Sequence, residues 1–274
     1  RNKPYNRKKS EPFSAFDVGL TFEHDGLRLR GSMSHSDRKP KEAAAQKALE
    51  KANAVIEIPE GFPQAADLIP KAVGAKSTFS VEGKYYSKET SETTISTIIH
   101  VESDSEGTII KVRDDHRDKL KENEHEREFR TLRLNDGLHQ VSFDTDYGLN
   151  EYDPPVTILP DKIAPGITYQ GLYDQSFKTD SYEQIKLIQY RNVIKGLETI
   201  EVPAGTFKDC LRVDQAFQEM GAFVDGSQSK LGRGTSSTWY AKDVGIVKQT
   251  WENTNRQQTM ELTKFEPAPA DDKK

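Results

Sequence analysis

The sequence predicts a mainly β protein, a curved antiparallel sheet or half-barrel preceded by an N-terminal hairpin and helix. Three observations carry this expectation. Segments rich in Val, Ile, Thr and aromatic residues recur with alternating apolar and polar positions. Turn formers such as Asp104-Ser-Glu-Gly107 and Pro203-Ala204-Gly205 separate them. Only Pro40 to Asn53 shows convincing helical spacing.

Residues 1–12 read as a basic arm, with Arg1, Lys3, Arg7, Lys8 and Lys9 and no acid in the first ten positions. A disordered or partner-draped terminus is the plain reading, and contact with an anionic surface the sharper one. Ala15–Phe22 and Leu27–Met33 form a predicted hairpin turning at His24-Asp25-Gly26. The helix after it has Ser36 or Asp37 as cap, Pro40 in its first turn, and a narrow stripe of Ala44, Ala45, Ala48, Leu49 and Ala52. This run resembles the end of a double-stranded RNA-binding domain. Asp37 stands where phosphate contact wants a base, and Pro40 where that helix wants a small helix former, so coincidence in an Ala/Lys-rich helix is the better explanation. The Pro- and Gly-punctuated stretch from Ala54 to Gly74 is a connector, which makes residues 13–75 one hairpin, helix and connector extension.

Residues 76–266 carry the antiparallel β domain. Ser77–Tyr86, Thr93–Glu102 and Thr108–Arg113 read as a meander with one wet face. The Ser/Thr residues from Ser87 to Thr94 lie outside any nucleophile elbow and read as strand surface. Asp114 to Arg130 is the most charged block, expected as a solvated loop or long hairpin tip, because eight residues between His116 and His125 fit no metal-ligand spacing. His24, His35, His100 and His139 are scattered. Asp144 to Asp153 crowds oxygen ligands, but Pro155 stands where an EF-hand needs its bidentate Glu, which leaves only an irregular calcium site open. Gly221 to Gly234 lacks the Lys-Ser of a phosphate loop and reads as a flexible hairpin loop joining a strand that ends near Phe223 to one that begins near Thr235. Residues 267–274 are a polar, proline-spaced tail.

The 274 residues are 34% hydrophobic and 30% charged, enough for one large β domain with extensive solvated surface. A net charge of −5 argues against general nucleic-acid binding. A single cysteine, Cys210, excludes an internal disulfide; it reads as a small strand residue and not as a reactive thiol. No apolar run is long enough to cross a bilayer, and an upstream signal, lipid-bearing cysteine or membrane anchor is left open.

Glu198-Thr-Ile-Glu-Val-Pro-Ala-Gly-Thr-Phe-Lys-Asp-Cys-Leu-Arg-Val213 followed by Trp239-Tyr-Ala-Lys-Asp-Val-Gly-Ile-Val-Lys248 resembles a recurrent signature of bacterial envelope proteins of unassigned function. These are similar to the half-barrels of lipoprotein-localisation carriers, whose sheet wraps an apolar concavity. The resemblance implies a periplasmic, outer-membrane-associated or extracellular location. It supplies no catalytic residues, and no catalytic residue, metal or cofactor is expected. Phe217, Trp239, Tyr240, Trp251 and Phe265 fall on successive predicted strands. They either fill the interior or line a pocket. The expected function is a non-enzymatic exported envelope or surface protein, a structural or interaction subunit whose partners are other protein subunits. The alternative is a carrier or sensor of a lipid-like apolar ligand in the concave face.

Overall fold

A computed structural model of the protein describes residues 53–118, 125–179, 183–223 and 228–269, together with Lys47, Glu50 and Lys51. The chain divides into two compact units, Arg1–Val55 and Ile56–Lys274. Within the first, Lys47, Glu50, Lys51, Asn53 and Ala54 are helical, in the span where a helix is predicted. The predicted basic arm and the hairpin at 15–33 lie outside the described residues.

The second unit is built on strands β1 (Lys76–Tyr85), β2 (Lys88–Asp104), β3 (Gly107–Asp118), β4 (His125–Asn135), β5 (Gly137–Thr145) and β6 (Gly148–Pro160). It continues with β7 (Thr168–Lys178), β8 (Glu183–Val202), β9 (Gly205–Phe223), β10 (Gln228–Ala241), β11 (Gly245–Asn253) and β12 (Arg256–Glu266). Each strand pairs antiparallel with its chain neighbours, and β1 also pairs with β12, from Lys76↔Glu266 to Tyr85↔Arg256. The predicted curved antiparallel sheet is therefore present, and it closes into a barrel. Closure lets the two edges satisfy each other's backbone N–H and C=O groups.

Two stretches expected as loops or hairpin tips are strand over most of their described residues. Asp114 to Asp118 continues β3 and His125 to Arg130 begins β4, with Asp114↔Glu128 and His116↔Glu126 in register. Charge misled here because the residues pair with one another inside the sheet. At Gly221–Gly234 the expected hairpin is present and β9 ends at Phe223 as expected, but β10 begins at Gln228 and not near Thr235, pairing with β9 from Gln228↔Ala222 to Gly234↔Phe217. Asp144 to Asp153 is a hairpin: the β5–β6 turn is tied by the Thr145 hydroxyl, which donates to Gly148 O at 3.1 Å and accepts from Tyr147 N at 3.2 Å.

Alternation sets the interior face. In β3 the even positions Ile110, Val112, Asp114 and His116 point inward, while Lys111, Arg113 and Arg117 point out. The even-numbered strands end at one rim and the odd-numbered strands at the other. Residues 56–75, placed with the extension by sequence, belong to the barrel unit and contribute Ala65, Leu68, Ile69 and Ala75 to its main core. They lie across the first rim: Asp243 N in the β10–β11 turn donates to Asp67 O at 2.7 Å, and Gly74 N donates to Ile98 O at 2.8 Å. Gly245, at φ 89, faces Pro70, and a Cβ there would stand 3.1 Å from the ring.

The long β8–β9 hairpin explains the Val-Pro-Ala-Gly run. Pro203 and Ala204 make the turn, Gly205 takes φ 130, and Ala204 N donates to Leu262 O at 3.0 Å, so the tip folds onto β12. A second apolar cluster of Val202, Cys210, Trp239, Ala241, Val247 and Leu262 forms beneath it. Cys210 is 0% exposed, and burial pushes its thiol up to about 11. A thiol-specific reagent at pH 8 should label the native protein orders of magnitude more slowly than the urea-unfolded chain; equal rates would contradict this packing.

Candidate functional site

The barrel wall forms a half-open cavity of about 520 Å³ whose two ends differ in chemistry. Toward the covered rim the wall is apolar: Leu68, Ile69, Ile98, Val112, Leu132 and Tyr240. Toward the opposite rim it carries Glu92, Asp114, His116, Glu128, Arg130 and Arg256.

These charges are organised by register. Asp114 on β3 and Arg130 on β4 face each other one pair apart, and the guanidinium binds the carboxylate through Nε to Oδ2 and through Nη2 to Oδ1 at 2.9 Å. The Ser96 hydroxyl adds a 2.5 Å donation to Oδ1. Burial opposes ionisation of Asp114, but the Arg130 charge and these hydrogen bonds hold its carboxyl below the ordinary value. One turn of the ladder further out, His116 Nδ1 lies 2.8 Å from Glu92 Oε1, and Nε2 lies 3.7 Å from Glu128 Oε2. The Thr94 hydroxyl donates to the same Glu92 oxygen at 2.8 Å. Burial alone would lower the His116 pKa, yet the two flanking carboxylates raise it to about 10, which makes it an imidazolium at neutral pH. Hydrogen bonding from His116 in turn lowers Glu92. Arg256, at the outer end, lies 5.5 Å over the Trp251 ring, whose other neighbour is Phe217, stacked at 5.7 Å and 14°.

The aromatic residues singled out by sequence divide between two places. Tyr240 and Trp251 line the cavity, and Phe217 is buried behind Trp251. Trp239, next to Tyr240 on the strand, points to the other face, donates its indole N–H to Glu198 Oε2 at 2.8 Å and lies under Arg212 at 5.2 Å. Phe265 packs against that second cluster. Strand alternation alone separates Trp239 from Tyr240, so adjacent aromatics could not share one pocket. Sequence reasoning missed the charged end altogether. Its signal was the spacing by two of Val112, Asp114 and His116, and of Glu128, Arg130 and Leu132, which continues each strand's inward face into polar residues. Among the described residues, no group of His, Cys, Asp and Glu is arranged to hold a metal ion, and no helix is long and apolar enough to cross a membrane.

Among the described residues two ladders of the wall are short: β11–β12 runs only from Lys248↔Glu261 to Glu252↔Gln257, with the β8–β9 tip lying on Leu262 beyond it, and β6–β7 leaves a seam that borders the cavity. The β6–β7 ladder runs only from Leu149↔Lys178 to Asp153↔Asp174. Beyond it Pro154 and Pro155 have no N–H to offer, and β6 continues to pair with β5 while β7 continues with β8. Two tyrosine hydroxyls bridge the gap: Tyr169 donates to Ile158 O at 2.5 Å, and Tyr190 accepts from Thr157 N at 3.2 Å. The Tyr190 ring lies over Gly171, where a Cβ would come within 2.6 Å of it.

The DUF3108-like family model matches residues 159–262, the span from the end of β6 into β12. A search of curated proteins finds no match. Among solved structures, the chain is similar to a proposed exported protein with a YmcC-like fold from Bacteroides fragilis, at 15% identity and TM-score 0.41, over 73% of this chain and 98% of that one. It is also similar to a proposed lipoprotein from Parabacteroides distasonis, at 12% identity and TM-score 0.40, with the same coverage of 73% and 98%.

Proposed function

We propose that the protein is a non-enzymatic carrier or sensor that holds an elongated, lipid-like amphiphile inside the barrel. The observation that carries this reading is the cavity of about 520 Å³, apolar toward the covered rim and charged toward the other. Its volume falls within the range of roughly 300–1,000 Å³ usual for small-molecule sites. An apolar chain fits the Ile98, Val112 and Leu132 end, and a polar group fits beside His116 and Arg256. The outward residues Lys111, Arg113 and Arg117 on β3 and Arg127 and Arg133 on β4 are charged where a membrane-spanning barrel presents an apolar band, which supports a barrel surrounded by water. The envelope location, periplasmic, outer-membrane-associated or extracellular, rests on the Val-Pro-Ala-Gly signature.

Trp251 provides the test, because Trp239 is the only other tryptophan and lies outside the cavity. In a Trp239→Phe variant, long-chain amphiphiles should change the remaining emission saturably, and native mass spectrometry of protein from its own source should show a bound adduct. Neither an adduct nor an emission change would end the reading. A subunit role is favoured by a separate observation, the exposed Tyr85, Tyr86 and Tyr147 on the rim opposite the covered one. Deleting residues 1–55, which spares the core residues of the 56–75 segment, should release any protein neighbour held by the extension. A pull-down in which the truncated chain retains every partner would remove that role.

A further inference from the structure

We infer that the β6–β7 seam is the passage by which an apolar chain reaches the interior, and that a second cavity on its outer side is the chain's first docking subsite. This inference rests on the carrier reading above. The second cavity, of about 370 Å³, is lined by Pro154, Pro155, Leu172, Tyr173 and Tyr190 on its apolar side. It shares Thr157 and Tyr173 with the interior cavity, so the two spaces meet where the β6–β7 ladder stops.

A closed antiparallel wall resists opening because each strand is held by a ladder of backbone hydrogen bonds on both sides. Between Pro154–Pro160 and Tyr169–Tyr173 no β6–β7 register pair forms among the described residues, and the Tyr169 and Tyr190 hydroxyls bond β6 backbone there. A tyrosine swings away by side-chain rotation, without breaking the β5–β6 or β7–β8 pairing that carries the two edges. The surface along the route is aromatic. Tyr152 meets Tyr173 edge-on at 5.3 Å, and Tyr173 meets Tyr190 at 5.8 Å, leading from the interior to the outer cavity. Such a slit passes a narrow, flexible chain and excludes a globular or rigidly branched solute. The ligand class is therefore an unbranched long-chain amphiphile, with its polar group left at the outer cavity during entry, near Arg133, Asp136 and His139.

The test uses cis-parinaric acid, a fluorescent long-chain carboxylic acid, in stopped-flow association and dissociation with the full chain. Tyr190→Phe removes the acceptor of Thr157 N–H at almost no change in volume. Association and dissociation should both quicken, by roughly three- to tenfold, the range for one net hydrogen bond, with Kd unchanged within about twofold. Hydrogen exchange at the Thr157 amide should quicken in the same variant without any ligand. Leu172→Trp fills the outer cavity and should slow both rates. Failure of the wild-type protein to bind the probe would overturn the carrier reading and the passage with it. Binding with unchanged rates in both variants would overturn the passage alone, and so would unaltered Thr157 exchange in Tyr190→Phe.

Discussion

Replacing Arg130 by Met should cost the barrel roughly 3–5 kcal/mol of stability, the range for removing one partner of a buried ion pair. The size follows from what is left behind. The Asp114 side chain is only 4% exposed, and its two oxygens are held by Arg130 and Ser96. Without the guanidinium, a carboxylate would remain in the wall with one hydroxyl for company. Its folded pKa would then rise above the unfolded value, so the penalty of Arg130→Met should grow as pH increases from about 3 to 7. In the wild-type protein the sign is opposite. The Asp114 carboxyl is held below its ordinary value of 3.8, so its contribution is present above that pH and is lost in stronger acid. Urea unfolding of wild type, Arg130→Met and the double variant Asp114→Leu/Arg130→Met at several pH values would measure this. The double variant should recover most of the loss, because neither charge remains to be desolvated. A single variant within about 1 kcal/mol of wild type at pH 7 would show that the pair is not buried as described.

The same ion pair shows where sequence reading succeeds and fails. Ile110 and Val112 announce a strand by alternation, and the turn residues 203–205 announce a hairpin by φ preference, since both signals are local. Closure of the barrel was not legible, because pairing between Tyr85 and Arg256 joins residues far apart in sequence and leaves no local mark. Asp114, His116 and Glu128 read as a solvated loop or the tip of a long hairpin because isolated charges favour water; the hairpin is present, but these residues are paired strand in its wall. Their burial depends on partners supplied by a neighbouring strand whose register could not be known. The aromatic residues failed differently: Trp239 and Tyr240 both lie on the predicted strand, but alternation sends them to opposite faces. The seam was half-visible, since Pro154-Pro155 inside a strand pattern marks a bulge or an interrupted ladder. Which strand would lose its partner there depended on the topology.

His116→Gln should abolish a loss of stability that the wild-type protein undergoes between about pH 7 and pH 10. The imidazole faces Glu92 from β2 and Glu128 from β4, with Asp114 and Arg130 below it and Arg256 acting on Glu92 from β12. These carboxylates raise its pKa from 6.5 to about 10, so the folded protein keeps a proton that the unfolded chain releases. A group with a raised folded pKa contributes fully below its unfolded value, here 6.5, and loses that contribution as pH climbs to about 10. A rise of that size corresponds to a contribution on the order of 5 kcal/mol, because each tenfold change in proton affinity is about 1.4 kcal/mol. Glu92 has the opposite sign: its pKa is lowered from 4.5, so its contribution appears above that value and is lost in acid. The trio is therefore strongest between these limits, at roughly pH 5 to 6.5. Urea midpoints at pH 6, 7.5 and 8.5 test the claim below 9.0 and 10.0, the unfolded-chain values above which the buried thiol of Cys210 and the buried tyrosines begin to change stability. The wild-type midpoint should fall steadily across that series while the His116→Gln midpoint stays nearly level. A level wild-type profile, or an equal slope in the variant, would mean that the proton is not shared between the two carboxylates.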